Sequence, residues 1–212
     1  MCIRDSLRTK GLSIHTNLDP VVQTLLENSL LETKQDLVKK YGSELNELQG
    51  AAIVIDSFTG VIHAATGNIN PKDFGFNRVI NAVRPIGSLV KPFIYLTALE
   101  NGHLPTTQLL NQPLVFFIDD TVRWNPQNHD GSTSLHETLR YGLKKSLNLI
   151  SVRIVQELVR PYDVAKKAKS YNLTTRIVAV DAIALGVSDV IPLEITSAYA
   201  SIANDGFEVR PT

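Results

Sequence analysis

The sequence predicts a mixed α+β fold in which antiparallel strands pack against helices. Three observations lead there. Residues 51–56 and 61–65 are strand-like apolar runs on either side of Ser57-Phe58-Thr59-Gly60, the pattern of a hairpin. Stretches of helical periodicity with capping or proline starts follow from Ser88 to an Asn101-Gly102 stop, and over 134–145, 149–159, 161–169 and 193–204. With 212 residues, 43% hydrophobic and 20% charged, the chain can bury a sizeable core in one domain or one and a half.

Taken in order, residues 1–10 carry no periodicity and read as a non-native or linker segment. Residues 11–16 alternate like a short strand. Asp19-Pro20 then supplies an N-cap and a proline at the first helical position, and Val21, Val22, Leu25, Leu26 and Leu30 continue at helical spacing towards Gly42. The first hairpin run is apolar throughout, which predicts a sheet covered on both faces. Residues 68–81 read as a polar loop. Arg84-Pro85-Ile86-Gly87 turns into the Ser88 helix, with Pro92 in its first turn, where a missing N–H costs little.

Residues 103–133 read as irregular, broken by Pro105, Pro113 and Pro126, and carry the chain's one tryptophan, Trp124, as either a core residue or a cleft wall. Ser134-Leu135-His136-Glu137 has the form of a capping box and predicts a helix closing near Lys145. Ser146-Leu147-Asn148 falls in the short link before the next helix, where a hydroxyl and an amide can project into a cleft. Pro161 and Pro192 start further helices, the first with Lys166, Lys167 and Lys169 on a solvated face. Residues 207–210 look like the start of a strand.

Several classes of function are disfavoured. Lys+Arg and Asp+Glu are both 21, so the balanced charge recommends neither nucleic acid nor an anionic membrane surface as partner. The lone Cys2 excludes an internal disulfide. No apolar run approaches the roughly eighteen residues of a membrane helix, so any membrane anchor is expected outside this chain. There is no phosphate-binding glycine loop. His136-Glu137 lacks the second histidine of a zinc-protease helix, because Arg140 stands in its place.

Ser88-Leu89-Val90-Lys91 is where chemistry is expected. Residues three apart share a helix face, so a desolvated Lys91 amine can take the proton of Ser88 and make it a covalent nucleophile. Unpaired N–H groups of the first turn favour a developing oxyanion. The motif alone is weak: with 14 Ser and 11 Lys, chance supplies roughly 0.7 matches to Ser-x-x-Lys, and one occurs. Ser-x-Asn occurs twice, as Ser146-Leu147-Asn148 and Ser170-Tyr171-Asn172, and the second lies at a helix end with Asn172 as its cap.

Together, Ser88-Leu89-Val90-Lys91 and Ser146-Leu147-Asn148 resemble the first two motifs of the penicillin-binding transpeptidases, serine D,D-peptidases that cross-link peptidoglycan. The resemblance extends over residues 11–212. Residues 11–50 are similar to the lead-in of the transpeptidase domain in the bifunctional class A proteins, and the 51–67 hairpin to the first strands of its sheet. Phe76-Asn77-Arg78, Ile86-Gly87-Ser88-Leu89, Trp124-Asn125-Pro126-Gln127-Asn128 and Asn204-Asp205-Gly206 fit the same order. Within class A the chain is most similar to the 1b type.

The resemblance implies an antiparallel sheet flanked by helices with a mostly helical subdomain, as in the serine β-lactamases, over residues 51–212. It implies Ser88 as nucleophile, Lys91 as general base, Ser146 as proton relay and Asn148 as substrate-binding amide, with no cofactor and no metal. Stem peptides ending in D-Ala-D-Ala and β-lactams are the implied ligands, and other cell-wall synthesis proteins the implied partners. The implied location is the bacterial cell envelope, on the periplasmic face of the inner membrane. The family's third motif, Lys-Thr-Gly or Lys-Ser-Gly on a sheet strand, does not occur in these residues. The expectation is therefore of a C-terminally truncated domain, unstable and inactive in isolation, from a parent that also carries a glycosyltransferase. A non-catalytic penicillin-binding or degenerate interaction module remains an alternative. A serine β-lactamase is less favoured, because no Glu-x-x-Leu-Asn segment is present to activate a deacylating water.

Overall fold

The structure, a computed structural model, describes residues 11–73, 75–117 and 123–212. Helix α1 (Pro20–Tyr41) begins where its cap dictates: the Asp19 carboxylate accepts from the N–H groups of Val21 and Val22 at 2.8 and 3.2 Å. Strands β1 (Ala52–Ile55) and β2 (Ile62–Thr66) form the antiparallel hairpin, with Ala52 opposite Thr66 and a register shift between Val54 and Ile55. Asp56 ties the turn, accepting from the Phe58 and Thr59 N–H groups and from the Thr59 hydroxyl.

The outer edge of β2 is occupied. Gln23 of α1 pairs its side-chain amide with Ala65 as a strand would, accepting at 2.9 Å and donating at 3.1 Å, and Asp19 N–H donates to His63 O. Farther along, Thr212 donates to Gly60 O and accepts from Ile62 N–H. All four residues of β1 are half-buried, so coverage of the hairpin is less complete than its apolar first run predicts. That sheet has two strands among the described residues, which limits how deeply either can be buried.

After the short helix α2 (Arg78–Asn81) and strand β3 (Arg84–Pro85), a 3-10 turn (Gly87–Val90) runs straight into helix α3 (Lys91–Glu100). Strands β4 (Gln108–Asn111), β5 (Phe116–Phe117), β6 (Arg123–Trp124) and β7 (Ser134–Thr138) follow, β4 pairing with β7 and β5 with β6. Helices α4 (Leu139–Lys144) and α5 (Asn148–Arg153) come next, the latter continuing as a π turn to Leu158. Then come α6 (Pro161–Ser170), strand β8 (Asp189–Val190), which pairs with β3, and α7 (Pro192–Ala203), which packs on β1. The apolar core joins Phe93, Ile94 and Ala98 of α3 to Leu139, Ile150, Val152, Val164 and Ile183, each at most 1% exposed. Burying a set of this kind outweighs any single polar contact in holding the helices together.

Four expectations are corrected. Residues 11–16 form no strand: they are exposed and have no partner ladder among the described residues, without which alternation has nothing to bury. Residues 134–138 are strand rather than a capped helix, because Ser134 Oγ donates to Glu137 Oε1 within the β4–β7 ladder instead of capping, and Thr138 Oγ1 receives the Tyr141 N–H as the true N-cap. The stretch read as irregular over 103–133 contains β4, β5 and β6. Residues 207–210 form no regular strand; Val209, 2% exposed, is strapped to α7 by Ser197 and Ser201. Trp124 turns to the core, its ring 4.9 Å from that of Phe116.

Candidate active site

The peptide before Ser88 is held from one side only a glycine could permit. Ile86 and Gly87 donate to Ser188 O and Gly186 O, and a Cβ on Gly186 would stand 2.0 Å from Gly87 O. Gly186 itself has φ 70, open to glycine at little cost. On the far side, Tyr199 Oη donates to Leu89 O at 3.1 Å. Ser88 therefore stands exposed on a clamped 3-10 turn, one turn ahead of Lys91.

Lys91, one turn on, is buried. It is 1% exposed and donates three hydrogen bonds, to Ser146 O at 2.5 Å, Ser146 Oγ at 3.0 Å and Asn148 Oδ1 at 2.8 Å. None of the three goes to Ser88. Burial disfavours the ammonium and lowers its pKa from 10.5 to about 8. Ser146 reaches Lys91 from a left-handed backbone, φ 54, in the link between α4 and α5. That conformation is uncommon for a residue with a Cβ and is held by Ser146 N–H to Leu143 O and Leu147 N–H to Gly142 O.

Asn148 is the first residue of α5, and its Nδ2 donates to Gln127 O at 2.9 Å. A carbonyl can only accept, so this bond settles which end of the amide is which and aims Oδ1 at the lysine. Ser88, Ser146 and Asn148 line one cleft of about 450 Å³, with His129, Asp130 and Lys145 around it and Lys91 bonded to the second and third of the three. An exposed hydroxyl, a buried amine near neutrality and a second hydroxyl bonded to that amine can together perform acyl transfer.

Residues 50–212 match the family described as "Penicillin binding protein transpeptidase domain". The chain belongs to the penicillin-binding protein transpeptidase family. It is 34% identical over 206 residues to penicillin-binding protein 1B of Haemophilus influenzae, covering 95% of this chain and 26% of that protein. Against penicillin-binding protein 1B of Vibrio cholerae it is 35% identical over 199 residues, covering 92% and 25%. The chain thus spans about a quarter of the length of the curated relatives it matches. Penicillin-binding protein 1A of H. influenzae aligns with a TM-score of 0.71 at 30% identity, over 77% of this chain and 25% of that one. The PonA1 protein of Mycobacterium tuberculosis, in complex with penicillin V, aligns with a TM-score of 0.76 at 24% identity, over 99% and 56%, a likeness of fold. The first three of these relatives are penicillin-binding proteins 1B and 1A, and the fold is the one that the motifs implied.

In this transpeptidase domain the second Ser-x-Asn stands apart from the cleft. Ser170 Oγ donates to Lys167 O at 2.7 Å, and Asn172, at φ 65, ends the turn after α6. Lys167 is not wholly solvated, for it pairs with Glu100 at 2.7 Å. Sequence reasoning assigned no part to Gly186 or to Gln127 and Asn128. The only signal was the quoted Trp124–Asn128 stretch, since nothing local says that a glycine or a loop carbonyl will meet residues far along the chain.

Proposed function

We propose that these residues form the acyl-transfer centre of a serine D,D-transpeptidase that cross-links peptidoglycan stem peptides ending in D-Ala-D-Ala. The observation that carries this reading is the buried Lys91, drawn towards neutrality and bonded to both Ser146 and Asn148, one turn from an exposed Ser88. Two of its partners, Ser146 O and Asn148 Oδ1, accept only. In the neutral amine they take the two remaining N–H groups and leave a lone pair for a hydroxyl proton.

Lys91 then accepts the Ser88 proton as Ser88 Oγ attacks the carbonyl of the penultimate D-alanine. Collapse of the tetrahedral adduct breaks the peptide bond, and the proton passes from Lys91 through Ser146 Oγ to the departing amine of the terminal D-alanine. An ester on Ser88 remains. The amine of a second stem attacks it, forms the cross-link and returns the proton to Ser88 through the same pair. Asn148 holds the substrate amide and keeps Lys91 in place. A β-lactam opens on Ser88 by the same first step, and its ester persists.

On this reading the working protein lies in the bacterial cell envelope with this domain on the periplasmic face, contacts other cell-wall synthesis proteins, and uses neither metal nor cofactor. The test is acylation by a fluorescent penicillin, read on the whole polypeptide to which these residues belong. Ser88→Ala is expected to lose the label completely while melting as the parent does; a folded Ser88→Ala protein that still labels would end the proposal.

A further inference from the structure

We infer that Asn128 is a positioning residue for this reaction, acting through Asn148 to aim an acceptor at Lys91. The inference rests on the acyl-transfer reading above. Helix α5 starts without help from its own N-cap position, because Leu147 is apolar and makes no side-chain cap bond. The orphan N–H of Leu149 is taken instead by Asn128 Oδ1 at 3.1 Å, from 21 residues earlier in the chain. Asn128 is thus the cap of α5, supplied from another loop.

Its own orientation is not free. Asn128 is 5% exposed, and its Nδ2 donates both to Asn111 Oδ1 at 2.8 Å and to Ser132 O at 2.7 Å. Asn111, 2% exposed, is itself held on β4 by a bond from its Nδ2 to Ser134 Oγ. A flip of the Asn128 amide would set an oxygen against Asn111 Oδ1 and Ser132 O and an N–H against the Leu149 N–H, three repulsions in a buried site. The β4–β7 ladder therefore anchors Asn128, and Asn128 anchors the start of α5.

Adjacent in sequence, Gln127 presents its carbonyl to Asn148 Nδ2. One short loop therefore does two things to one helix turn: it caps the turn through the Asn128 side chain and orients the turn's first amide through the Gln127 main chain. Without Asn128 the Gln127 carbonyl loses its fixed place opposite Asn148. The Asn148 amide is then free to turn, and Lys91 loses a defined acceptor and part of the geometry that selects its lone-pair direction. Asn128 also borders the cleft, but the bonds it makes run away from it, into protein.

The test is a double-mutant comparison of penicillin acylation rates in the whole polypeptide, using Asn128→Ala, Asn148→Ala and the pair, with melting temperatures alongside. Asn128→Ala is expected to slow acylation on the order of tenfold or more, the scale of losing a buried supporting bond. In the Asn148→Ala background the same change should slow it less than about threefold, while its effect on melting persists in both backgrounds. Equal slowing in both backgrounds, or no slowing in a folded Asn128→Ala protein, overturns the inference. If Asn128→Ala does not accumulate, Asn128→Asp is compared in the same two backgrounds, since it keeps the acceptor and places a negative charge favourably at a helix start. A Ser88→Ala arm separates the two claims: label retained there defeats the acyl-transfer reading, whereas label lost there without Asn128–Asn148 coupling defeats only the positioning role.

Discussion

Lys91 Nζ lies 2.8 Å from Asn148 Oδ1, and the other end of that amide is fixed by Gln127 O at 2.9 Å. A buried ammonium so placed has three acceptors for its three N–H groups. The cost of burial remains in the lowered pKa, and the pKa makes the arrangement testable.

Lys91 titrates at about 8 in the folded protein against an ordinary 10.5. Between these values the unfolded chain holds a proton that the folded chain has released, so stability should rise with pH across the window from about 8 to 10.5. Below it the folded state bears the full cost of the buried charge, roughly 3 kcal/mol. Urea midpoints taken at both ends, for the parent and for Lys91→Met, isolate this contribution, since methionine fills similar space without titrating. A parent slope no steeper than that of Lys91→Met would show that the lysine is not held near neutrality. The penicillin acylation rate should rise as the pH approaches about 8, where the Lys91 amine loses its proton, and level off above it.

Gly186→Ala should damage both fold and labelling. The new Cβ would stand 2.0 Å from Gly87 O, on a backbone with φ 70. Strain and overlap together predict a loss of about 2–4 kcal/mol, with displacement of the turn that presents Ser88. Gly102→Ala is the control, because at φ 91 its Cβ meets nothing within 4 Å. It should cost only about 1 kcal/mol and leave labelling unchanged. Chemical denaturation paired with labelling reads both, and similar outcomes at the two positions would refute the clamp.

Ser146 carries strain for the sake of its position, φ 54 in a residue with a Cβ. Ser146→Gly relieves the strain and Ser146→Ala does not, so the glycine variant should be the more stable by about 0.5–1 kcal/mol. Both remove the hydroxyl beside Lys91 and should slow acylation on the order of a hundredfold. Ser170→Ala, which loses only a bond to Lys167 O, should label as the parent does. If Ser170→Ala instead slowed acylation as much as Ser146→Ala, the choice between the two Ser-x-Asn motifs would be reversed.

Much of the fold was legible because it is decided locally. Asp19-Pro20 and Gly42 bound α1, the turn residues from Asp56 to Gly60 bound the hairpin, and proline starts α6 and α7 where it should. Failures came where a local signal had a distant competitor. The box at Ser134 is a good helix start in isolation, yet its backbone is claimed by β4, more than twenty residues away, and its hydroxyl by Glu137 and Asn111. The strand read into residues 11–16 failed for the opposite reason, having no partner strand among the described residues.

The candidate site divides in the same way. Ser88 and Lys91 sit three residues apart in sequence, so their closeness along the turn that opens α3 could be read from spacing alone. That Lys91 turns inward to Ser146 and Asn148, 55 and 57 residues on, depended on packing α3 against α4 and α5. The lowered pKa follows from that packing, since desolvation is a property of what surrounds an amine and has no signature in the residues beside it. The same holds for Gly186 against Gly87 and for Asn128 against Leu149. Each is a contact between segments that meet only once the core has formed, because a side chain's local sequence sets its reach and its hydrogen-bonding capacity, while the folded chain sets what stands within that reach.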